Sequence, residues 1–223
     1  MSDANLTRRM ASEALGTAFL LAIVVGSGIM GERLAAGNVA IALLANAMAT
    51  GAGLVTLISV FGPLSGAHFN PVVTLVESAD GGIAWRDVPA YVVAQTAGAF
   101  GGVALANAMF GEAVFAASRH ERSGSAQWLS EVVATFGLIA TIKGCSRNRP
   151  DIVPFAVGAY ITAAYWFTPS TSFANPAVTL ARSVTNTFAG IRPVDVPAFV
   201  VAQVLGAAAA MLFFRWLMPK ARS

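Results

Sequence analysis

Charged residues are scarce in this sequence. Asp, Glu, Lys and Arg together make up 11% of its 223 residues, whereas a soluble globular domain carries roughly a quarter. The hydrophobic share is 56%, so the chain has too few charged side chains to cover a folded surface in water. The composition therefore indicates an integral membrane protein.

Cysteine and clustered basic residues are equally rare. A single cysteine, Cys145, excludes an internal disulfide, and no histidine accompanies it as the base that nucleophilic catalysis needs. The net charge of +3 comes from scattered residues, whereas nucleic-acid binding needs a clustered basic patch. No glycine-rich phosphate loop is present, so an ATP-driven pump is unsupported. We expect no enzyme activity, metal, cofactor or nucleic-acid partner.

Long apolar stretches are what the sequence does contain. Six of them approach or exceed the minimum length of a membrane-spanning helix: Met10–Met30, Val39–Phe61, Val88–Phe110, Gln127–Cys145, Ile152–Thr168 and Val196–Met218. Glycine and alanine crowd these stretches, which is typical of membrane helices that approach each other closely. We predict an all-α membrane protein whose residues 1–223 form a single transmembrane domain.

A short segment occurs twice, at residues 69–75 and 174–180. In each copy an asparagine precedes a proline, as Asn70-Pro71 and Asn175-Pro176, and this pair is typical of a helix start. About ten mostly apolar residues follow, or roughly 15 Å of helix, which is half the hydrocarbon thickness of a bilayer. The segments therefore predict two half-helices whose N-termini meet near the membrane midplane.

The sequence around these segments is duplicated as well. Val88–Gln95 returns as Val196–Gln203, and Ser12-Glu13 returns as Ser130-Glu131. The two copies lie at approximately residues 10–110 and 127–218, and each holds three full spans. Because three is an odd number, the second copy begins on the opposite side of the membrane and is inverted relative to the first. We therefore predict six transmembrane helices plus two re-entrant half-helices in an inverted repeat, with the half-helices entering from opposite faces.

The distribution of basic residues predicts the orientation. With six spans, both termini lie on one side of the membrane. That side holds nine basic residues: Arg8, Arg9, Arg86, Lys143, Arg147, Arg149, Arg215, Lys220 and Arg222. The other side holds five: Arg33, Arg119, Arg122, Arg182 and Arg192. Because cytoplasmic loops carry the excess of Lys and Arg, both termini are predicted to be cytoplasmic.

The two converging helix ends point to a pore. A broken helix is tolerated at membrane depth only inside protein or around a water-filled cavity, so a solid plug of two re-entrant hairpins is the alternative. In a pore, Asn70 and Asn175 cap their helices through oxygen and keep an amide NH₂ to donate into the lumen. The positive ends of both helix dipoles face the same point. Cations are repelled there, while a neutral hydroxylated solute finds donors.

Residues 65–71, Ser-Gly-Ala-His-Phe-Asn-Pro, together with Asn175-Pro176-Ala177, resemble the motifs of the aquaporin or major intrinsic protein family. The resemblance extends over essentially the whole chain. It implies a passive channel, usually a tetramer with one pore per subunit. Glu13 and Glu131 match the buried glutamates that hydrogen-bond the re-entrant loops in this family; an interfacial position near a span's start is the alternative. His68 is expected to shape the first loop rather than to bind a metal.

The sequence departs from the family pattern at several positions. The third residue after the second asparagine is usually arginine, and here it is Val178. Spacing to the motifs places the other residues of the selectivity filter at Thr50, Ala163 and Ser172. The first motif also ends in Val72, where alanine is usual. Since all four filter candidates are small or medium and uncharged, we expect a constriction that is wider and less polar than usual.

A nearby arginine offers a substitute for the missing one. Glu77 and Arg182 each lie seven residues after the asparagine of their own half-helix, and hence two turns along the same face. Helical side chains lean toward their helix's N-terminus, so Arg182 leans back past Val178. We predict that Arg182 supplies positive charge at the outer mouth; a solvated or headgroup-facing arginine is the alternative.

These predictions combine into a passive channel in a bacterial inner membrane. The expected solutes are uncharged and larger than water: glycerol and other polyols, urea-like molecules, and undissociated metalloid acids such as arsenite, with methylated arsenicals as a related expectation. Water is expected to pass as well. The expected partners are these solutes, the lipid bilayer and three further copies of the chain. A water-selective pore and an ion-coupled secondary transporter remain alternatives; the transporter would need a titratable group near the midplane, for which Glu13 and Glu131 are the candidates.

Overall fold

The computed structural model describes residues 5–218, and every regular element among them is helical. The α-helices in this range are α1 (Leu6–Leu34), α2 (Val39–Ser65), α3 (Pro71–Ala79), α4 (Val88–Met109), α5 (Ser125–Asn148), α6 (Val153–Phe167), α7 (Pro176–Arg182) and α8 (Val196–Leu217). Single 3-10 turns at Trp85–Asp87, Pro150–Ile152 and Pro193–Asp195 lead into α4, α6 and α8. Lys220 and Arg222, which entered the count of basic residues, lie outside the described residues.

Five of the described helices are long and apolar enough to cross a membrane. They are α1, α2 and α5, together with α4 and α8, each of which is counted with the 3-10 turn that precedes it. The span predicted at Ile152–Thr168 is shorter than the others, because α6 has 15 residues. Pro154 stands in its first turn, and the extended backbone of Thr168 ends it. A helix of this length covers less than the roughly 20 residues of a full span.

The two short helices begin at the Asn-Pro pairs. The side-chain oxygen of Asn70 accepts a hydrogen bond from the backbone N–H of Val72 at 3.1 Å, and that of Asn175 accepts from Ala177 and Val178 at 3.0 and 3.2 Å. Each asparagine is followed by proline, whose missing N–H costs nothing at a helix start. The helices α3 and α7 have 9 and 7 residues, so each is about half as long as a span or less.

The long helices pack in two similar sets around the short ones. In one set α1 lies against α2 and α4, and in the other α5 lies against α6 and α8. The helices α2 and α6 join the sets, while α3 and α7 each contact both α4 and α8. Both short helices therefore lie between the two halves of the chain.

Two ion pairs lie at one end of the bundle and show which helix ends meet there. Arg9 at the start of α1 pairs with Asp87 before α4 at 2.8 Å, and Arg215 near the end of α8 pairs with Asp80 after α3 at 2.9 Å. We call the end where α1 begins and α8 finishes the terminal end, and the opposite end the far end. The helix α3 thus runs from the middle of the bundle to the terminal end.

The outward faces of the long helices are apolar. Large exposed side chains on these faces include Leu15, Leu44, Met48, Val93, Leu205 and Leu212. Polar side chains lie inside instead: Glu13, Gln95, Glu131 and Gln203 have no exposed surface. Since a soluble monomer rarely exposes so extensive an apolar surface, this distribution is that of a protein surrounded by lipid.

Candidate functional site: a cavity between two short helices

A cavity of about 370 Å³ lies inside the bundle beside α3 and α7. Its wall includes Glu77, Gly82 and Ile83 toward the terminal end, Asn70 and Asn175 in the middle, and Thr50, Tyr165, Phe173, Val178 and Arg182 toward the far end. Much of the remaining wall is aliphatic: Leu20, Val24, Leu54, Ile58, Leu138, Ile142, Val153, Val157 and Ile161. The cavity therefore combines an apolar wall with polar groups at its middle and its two ends.

The N-termini of α3 and α7 meet in the middle of this cavity. The amide nitrogen of Asn70 donates to the carbonyl oxygen of Ala174, and that of Asn175 donates to the carbonyl oxygen of Phe69, both at 2.7 Å. These reciprocal bonds use one amide hydrogen of each asparagine. Each asparagine amide therefore has one hydrogen left to donate to a solute in the cavity, rather than the two that the sequence predicted.

The loops before the two asparagines share an unusual backbone conformation. Ala67 and Phe69 both have a φ of +49°, and Ser172 and Ala174 have +49° and +48°. Each such residue costs about 1–3 kcal/mol, because its side chain crowds the backbone in this region. These residues stand three and one positions before their asparagine, and none is glycine. Residue type therefore did not predict this geometry.

Glu13 and Glu131 hold these loops in place. The carboxylate of Glu13 accepts from the backbone N–H groups of His68 and Phe69 at 2.9 and 2.7 Å. The carboxylate of Glu131 accepts from those of Phe173 and Ala174, both at 2.9 Å. Both glutamates are completely buried, which is inconsistent with an interfacial position. Neither is among the described residues that line the cavity.

Each glutamate is joined to a glutamine that the sequence reasoning missed. The amide of Gln95 donates to Glu13 at 2.8 Å and to the hydroxyl of Thr74 at 2.9 Å. In the second half, Gln203 donates to Glu131 at 2.6 Å and to the hydroxyl of Thr179 at 2.8 Å. Gln95 and Gln203 close the duplicated segments Val88–Gln95 and Val196–Gln203, so the repeat itself carried the signal.

His68 is half-buried and lies on the cavity wall. Its Nδ1 is 3.1 Å from the hydroxyl of Thr74, and its ring centre is 5.3 Å from that of Tyr91. The ring is thus fixed between α3 and α4. Pro71, Val72, Pro176 and Ala177 form the first turns of the short helices, and the described lining does not include them.

The far end of the cavity differs from the expected filter in one residue. Thr50, Ser172 and Val178 line it, but Ala163 is exposed on the outside of α6. Tyr165 occupies that part of the wall instead, with its hydroxyl 3.3 Å from the hydroxyl of Thr50. The residues of α6 that face the cavity are spaced by four, at positions 153, 157, 161 and 165, and residue 163 falls on the opposite face of such a helix. A large polar ring therefore replaces the expected small side chain.

Arg182 lies inside the far end of the cavity. Its side chain is 2% exposed, which is inconsistent with a headgroup-facing arginine. Its guanidinium carbon is 3.4 Å from the centre of the Phe173 ring, and its Nε donates to the carbonyl oxygen of Ala189. Arg182 and Val178 both line the cavity, as expected from their spacing of four residues on one helix.

An ion-pair network surrounds the terminal end of the cavity. Lys143 of α5 lies 2.6 Å from Glu77 and 2.9 Å from Asp80. Burial raises the pKa of the Asp80 carboxyl, but hydrogen bonds from Lys143 and Arg215 outweigh burial and hold that pKa below its usual range. Both carboxylates of this mouth therefore have basic partners.

Comparison with known sequences places the chain in a family. The profile of the Major intrinsic protein family matches residues 1–172 and 151–223. The chain is 58% identical over 222 residues to the aquaglyceroporin AqpS of Rhizobium meliloti (strain 1021), across 100% of this chain and 95% of that protein. It is 29% identical over 225 residues to the probable aquaporin NIP7-1 of Arabidopsis thaliana, across 99% of this chain and 80% of that protein.

Comparison with solved structures gives the same fold. The X-ray structure of the aquaglyceroporin from Plasmodium falciparum resembles the chain with a TM-score of 0.75 at 20% identity, over 96% of this chain and 98% of that one. Apolar helices of spanning length, a cavity inside the bundle and a matching family profile thus agree. The chain belongs to the major intrinsic protein family and is an integral membrane channel for small solutes.

Proposed function

We propose that the channel passively conducts uncharged solutes bulkier than water. Its solute class comprises glycerol and other polyols, urea-like molecules, undissociated metalloid acids such as arsenous acid, and methylated arsenicals, and water passes with them. The observation that carries this proposal is Val178 on the cavity wall, at the position where the family usually has arginine. An isopropyl group there leaves more room than a guanidinium and holds no charge.

The polar groups of the cavity suit a neutral hydroxylated solute. Asn70 and Asn175 each keep one amide hydrogen beside the helix N-termini, and the hydroxyls of Thr50 and Tyr165 lie nearer the far end. A solute that enters the cavity loses its hydrogen bonds to water and can form new ones to these amides and hydroxyls one after another. A cation meets the positive ends of two helix dipoles and is repelled.

Passive conduction, rather than ion coupling, is supported by the surroundings of Glu13 and Glu131. Coupling to protons or ions needs a titratable or ion-binding group on the transport path. Both carboxylates are instead occupied by loop N–H groups and a glutamine amide, away from the described cavity wall. The titratable groups His68 and Glu77, which do line the cavity, are held by Thr74 and Lys143. The channel therefore dissipates a solute gradient without consuming another.

We place the protein in a bacterial inner membrane as a homotetramer with one pore in each subunit. Residues 1–223 form one transmembrane domain of two inverted repeats, with six spans and two re-entrant half-helices. The 3-10 turn before α6 extends that span to 18 residues, Pro150–Phe167, near the lower limit for crossing a bilayer. Both termini are cytoplasmic, so the terminal end of the bundle faces the cytoplasm and the far end faces outward.

Proteoliposomes that contain the purified protein test the proposed solute class. Stopped-flow light scattering measures the flux of water, glycerol, urea and arsenous acid under osmotic or solute gradients. In Val178→Arg we expect glycerol flux to fall roughly tenfold, equivalent to about 1.4 kcal/mol of added barrier, because the guanidinium narrows the far end. Water, which is smaller, is expected to lose less than glycerol.

Val194→Arg is the matched control, because Val194 is 75% exposed at the far end. Its fluxes are expected to equal those of the parent. Water flux without glycerol, urea or arsenous acid flux in the parent protein contradicts the proposed solute class. Saturable flux that is abolished when a proton gradient is dissipated contradicts passive conduction.

A further inference from the structure

The far end of the cavity contains a buried cation that has no anionic partner in the described part of the chain. Among residues 5–218, no carboxylate lies within ion-pairing distance of Arg182, and the hydrogen bond found for its guanidinium is the one from Nε to Ala189. The two terminal nitrogens of this group carry four further N–H donors. A fully buried charge is costly unless it is hydrogen-bonded, so these donors need acceptors inside the cavity.

The aromatic ring of Phe173 fixes the position of this cation. The guanidinium carbon of Arg182 is 3.4 Å from the ring centre, and that of Arg122 is 4.9 Å from the same centre. Phe199 of α8 packs edge-on against the ring at 5.3 Å. A cation is attracted to the face of an aromatic ring, and the attraction is stronger when the pair is out of water. Arg182 is therefore held in one place although it has no carboxylate partner among the described residues.

A second polar group without a partner lies in the same wall. Ser172 is 3% exposed and lines the cavity, and its hydroxyl has no hydrogen-bond partner in the described part of the chain. By contrast, Arg122 donates from its guanidinium to the carbonyl oxygens of Gly190 and Ser170 at 2.8 and 3.1 Å. Of the two arginines at the Phe173 ring, Arg182 thus makes fewer hydrogen bonds within the described part of the chain, and it is the one that lines the cavity.

We propose that Arg182 is a specificity-determining residue, which with Ser172 binds the oxygen atoms of uncharged hydroxylated solutes at the outer end of the pore. Val178 and Arg182 are four residues apart, so they occupy the same face of α7 on successive turns. The positive charge therefore acts one turn beyond the position where the family usually has arginine, and it leaves the width at Val178 free. The same charge keeps cations out of the cavity.

This inference rests on the proposed channel function and makes a separate prediction about selectivity. Glycerol and 1,2-propanediol have similar sizes but three and two hydroxyl groups. In proteoliposomes, after subtraction of the flux through protein-free vesicles, the ratio of glycerol to 1,2-propanediol permeability is expected to fall roughly fivefold in Arg182→Met, since a hydrogen bond to a charged group is lost. Sodium leak, measured with a sodium-sensitive dye inside the vesicles, is expected to rise above the parent's, because the charge that repels cations at this end is lost.

Two further variants separate charge from hydrogen bonding and guard against misfolding. Arg182→Gln keeps a donor for Ala189 but no charge, and we expect it to admit sodium. Arg182→Lys keeps the charge but not the planar fork of donors, so we expect it to exclude sodium and to lower the glycerol ratio. Arg119→Met, at an exposed far-end position, is the control and is expected to match the parent in both measurements.

The outcomes distinguish this inference from the proposed function. A parent that conducts glycerol, with Arg182→Gln and Arg182→Lys both matching it in glycerol ratio and sodium leak, overturns the role of Arg182 and leaves the channel function intact. A parent that conducts neither solute overturns the proposed function itself. Sodium leak in Arg182→Gln but not in Arg182→Lys supports the charge barrier, because a purely structural role would not follow the charge.

Discussion

Single carboxylates determine the geometry at the centre of the cavity. The loops before Asn70 and Asn175 hold five non-glycine residues at positive φ, namely Ala67, Phe69, Thr171, Ser172 and Ala174, a conformation that stores strain in the backbone. Glu13 and Glu131 offset it by accepting two backbone N–H groups each. Hydrogen bonds to a charged acceptor contribute about 1.5–3 kcal/mol, which is of the same size as the strain of one such residue.

Glu131→Gln tests this balance. A glutamine accepts from one loop N–H through its oxygen but turns its NH₂ toward the other, so one bond to Phe173 or Ala174 is lost. We expect a loss of about 2 kcal/mol, seen as an apparent melting temperature roughly 4–8 °C lower in detergent, and a reduced glycerol flux. Glu32→Gln, at an exposed position, should melt with the parent. Equal melting temperatures for Glu131→Gln and Glu32→Gln would show that the loop does not need this charge.

Tyr165 and Ala163 provide a second test at the residue scale. Tyr165 lines the far end of the cavity and contacts Thr50, whereas Ala163 is exposed on the other side of α6. We expect Tyr165→Ala to increase the permeability of bulkier polyols such as erythritol relative to glycerol by about threefold or more, because a ring is removed from the wall. Ala163→Leu is expected to change no permeability. Swelling assays with the two polyols measure both variants; altered selectivity in Ala163→Leu alone would reassign the filter to that position.

At the scale of elements, close helix crossings maintain the cavity walls. A Cβ added to Gly98 of α4 would lie 2.1 Å from the carbonyl oxygen of Ala14 in α1, and one added to Gly158 of α6 would lie 2.6 Å from that of Gly51 in α2. Both distances are shorter than any normal contact, so the backbones touch. Small residues at such crossings permit the van der Waals packing on which membrane helices depend.

Gly98→Val is expected to separate α1 from α4. Overpacking typically costs about 1–3 kcal/mol, and a backbone carbonyl so close to the new side chain places this variant at or above the upper end. Gly101→Val is a matched control on the same helix, since nothing lies within 4 Å of a Cβ added there. The apparent melting temperature and the monodisperse fraction in size-exclusion chromatography should fall for Gly98→Val. Both should remain at the parent's level for Gly101→Val. The reverse order would mean that the α1–α4 contact does not limit stability.

At the scale of the whole molecule, the two ends of the bundle face different compartments. The terminal end holds both the start of α1 and the end of α8, and seven of the 12 basic residues in the described range 5–218 belong to this end. The excess of Lys and Arg on one side predicts that this end is cytoplasmic. If conduction is passive, as proposed, the solute gradient alone sets the direction of net flux, whichever way the protein is oriented. Orientation does decide which mouth, that of Arg182 or that of Glu77, first meets an external solute.

Labelling of introduced cysteines tests this orientation. In a Cys145→Ser background, Arg119→Cys places a thiol on the exposed far end, and Arg86→Cys places one at the terminal end, where the native side chain is 89% exposed. With a membrane-impermeant maleimide on spheroplasts, we expect Arg119→Cys to react at once and Arg86→Cys only after permeabilisation. The opposite pattern would place both termini outside.

The helix starts, the apolar helices and the correspondence of the two halves could all be predicted from the order of residues. Those features depend on local chemistry: asparagine caps, proline fits the first turn, and apolar length measures a span. The duplicated segments predicted which residues correspond in the two halves, because Glu13 and Gln95 have counterparts in Glu131 and Gln203.

The side chains that form the far end of the cavity could be identified only in the folded protein. Tyr165, rather than Ala163, faces inward because the crossing at Gly51 and Gly158 sets the rotation of α6, and helix rotation is a property of packing between distant segments. The same holds for Arg182, whose position depends on Phe173 in one loop and Ala189 in another. Local sequence encodes where a helix begins, whereas contacts between distant residues decide what it presents to the pore.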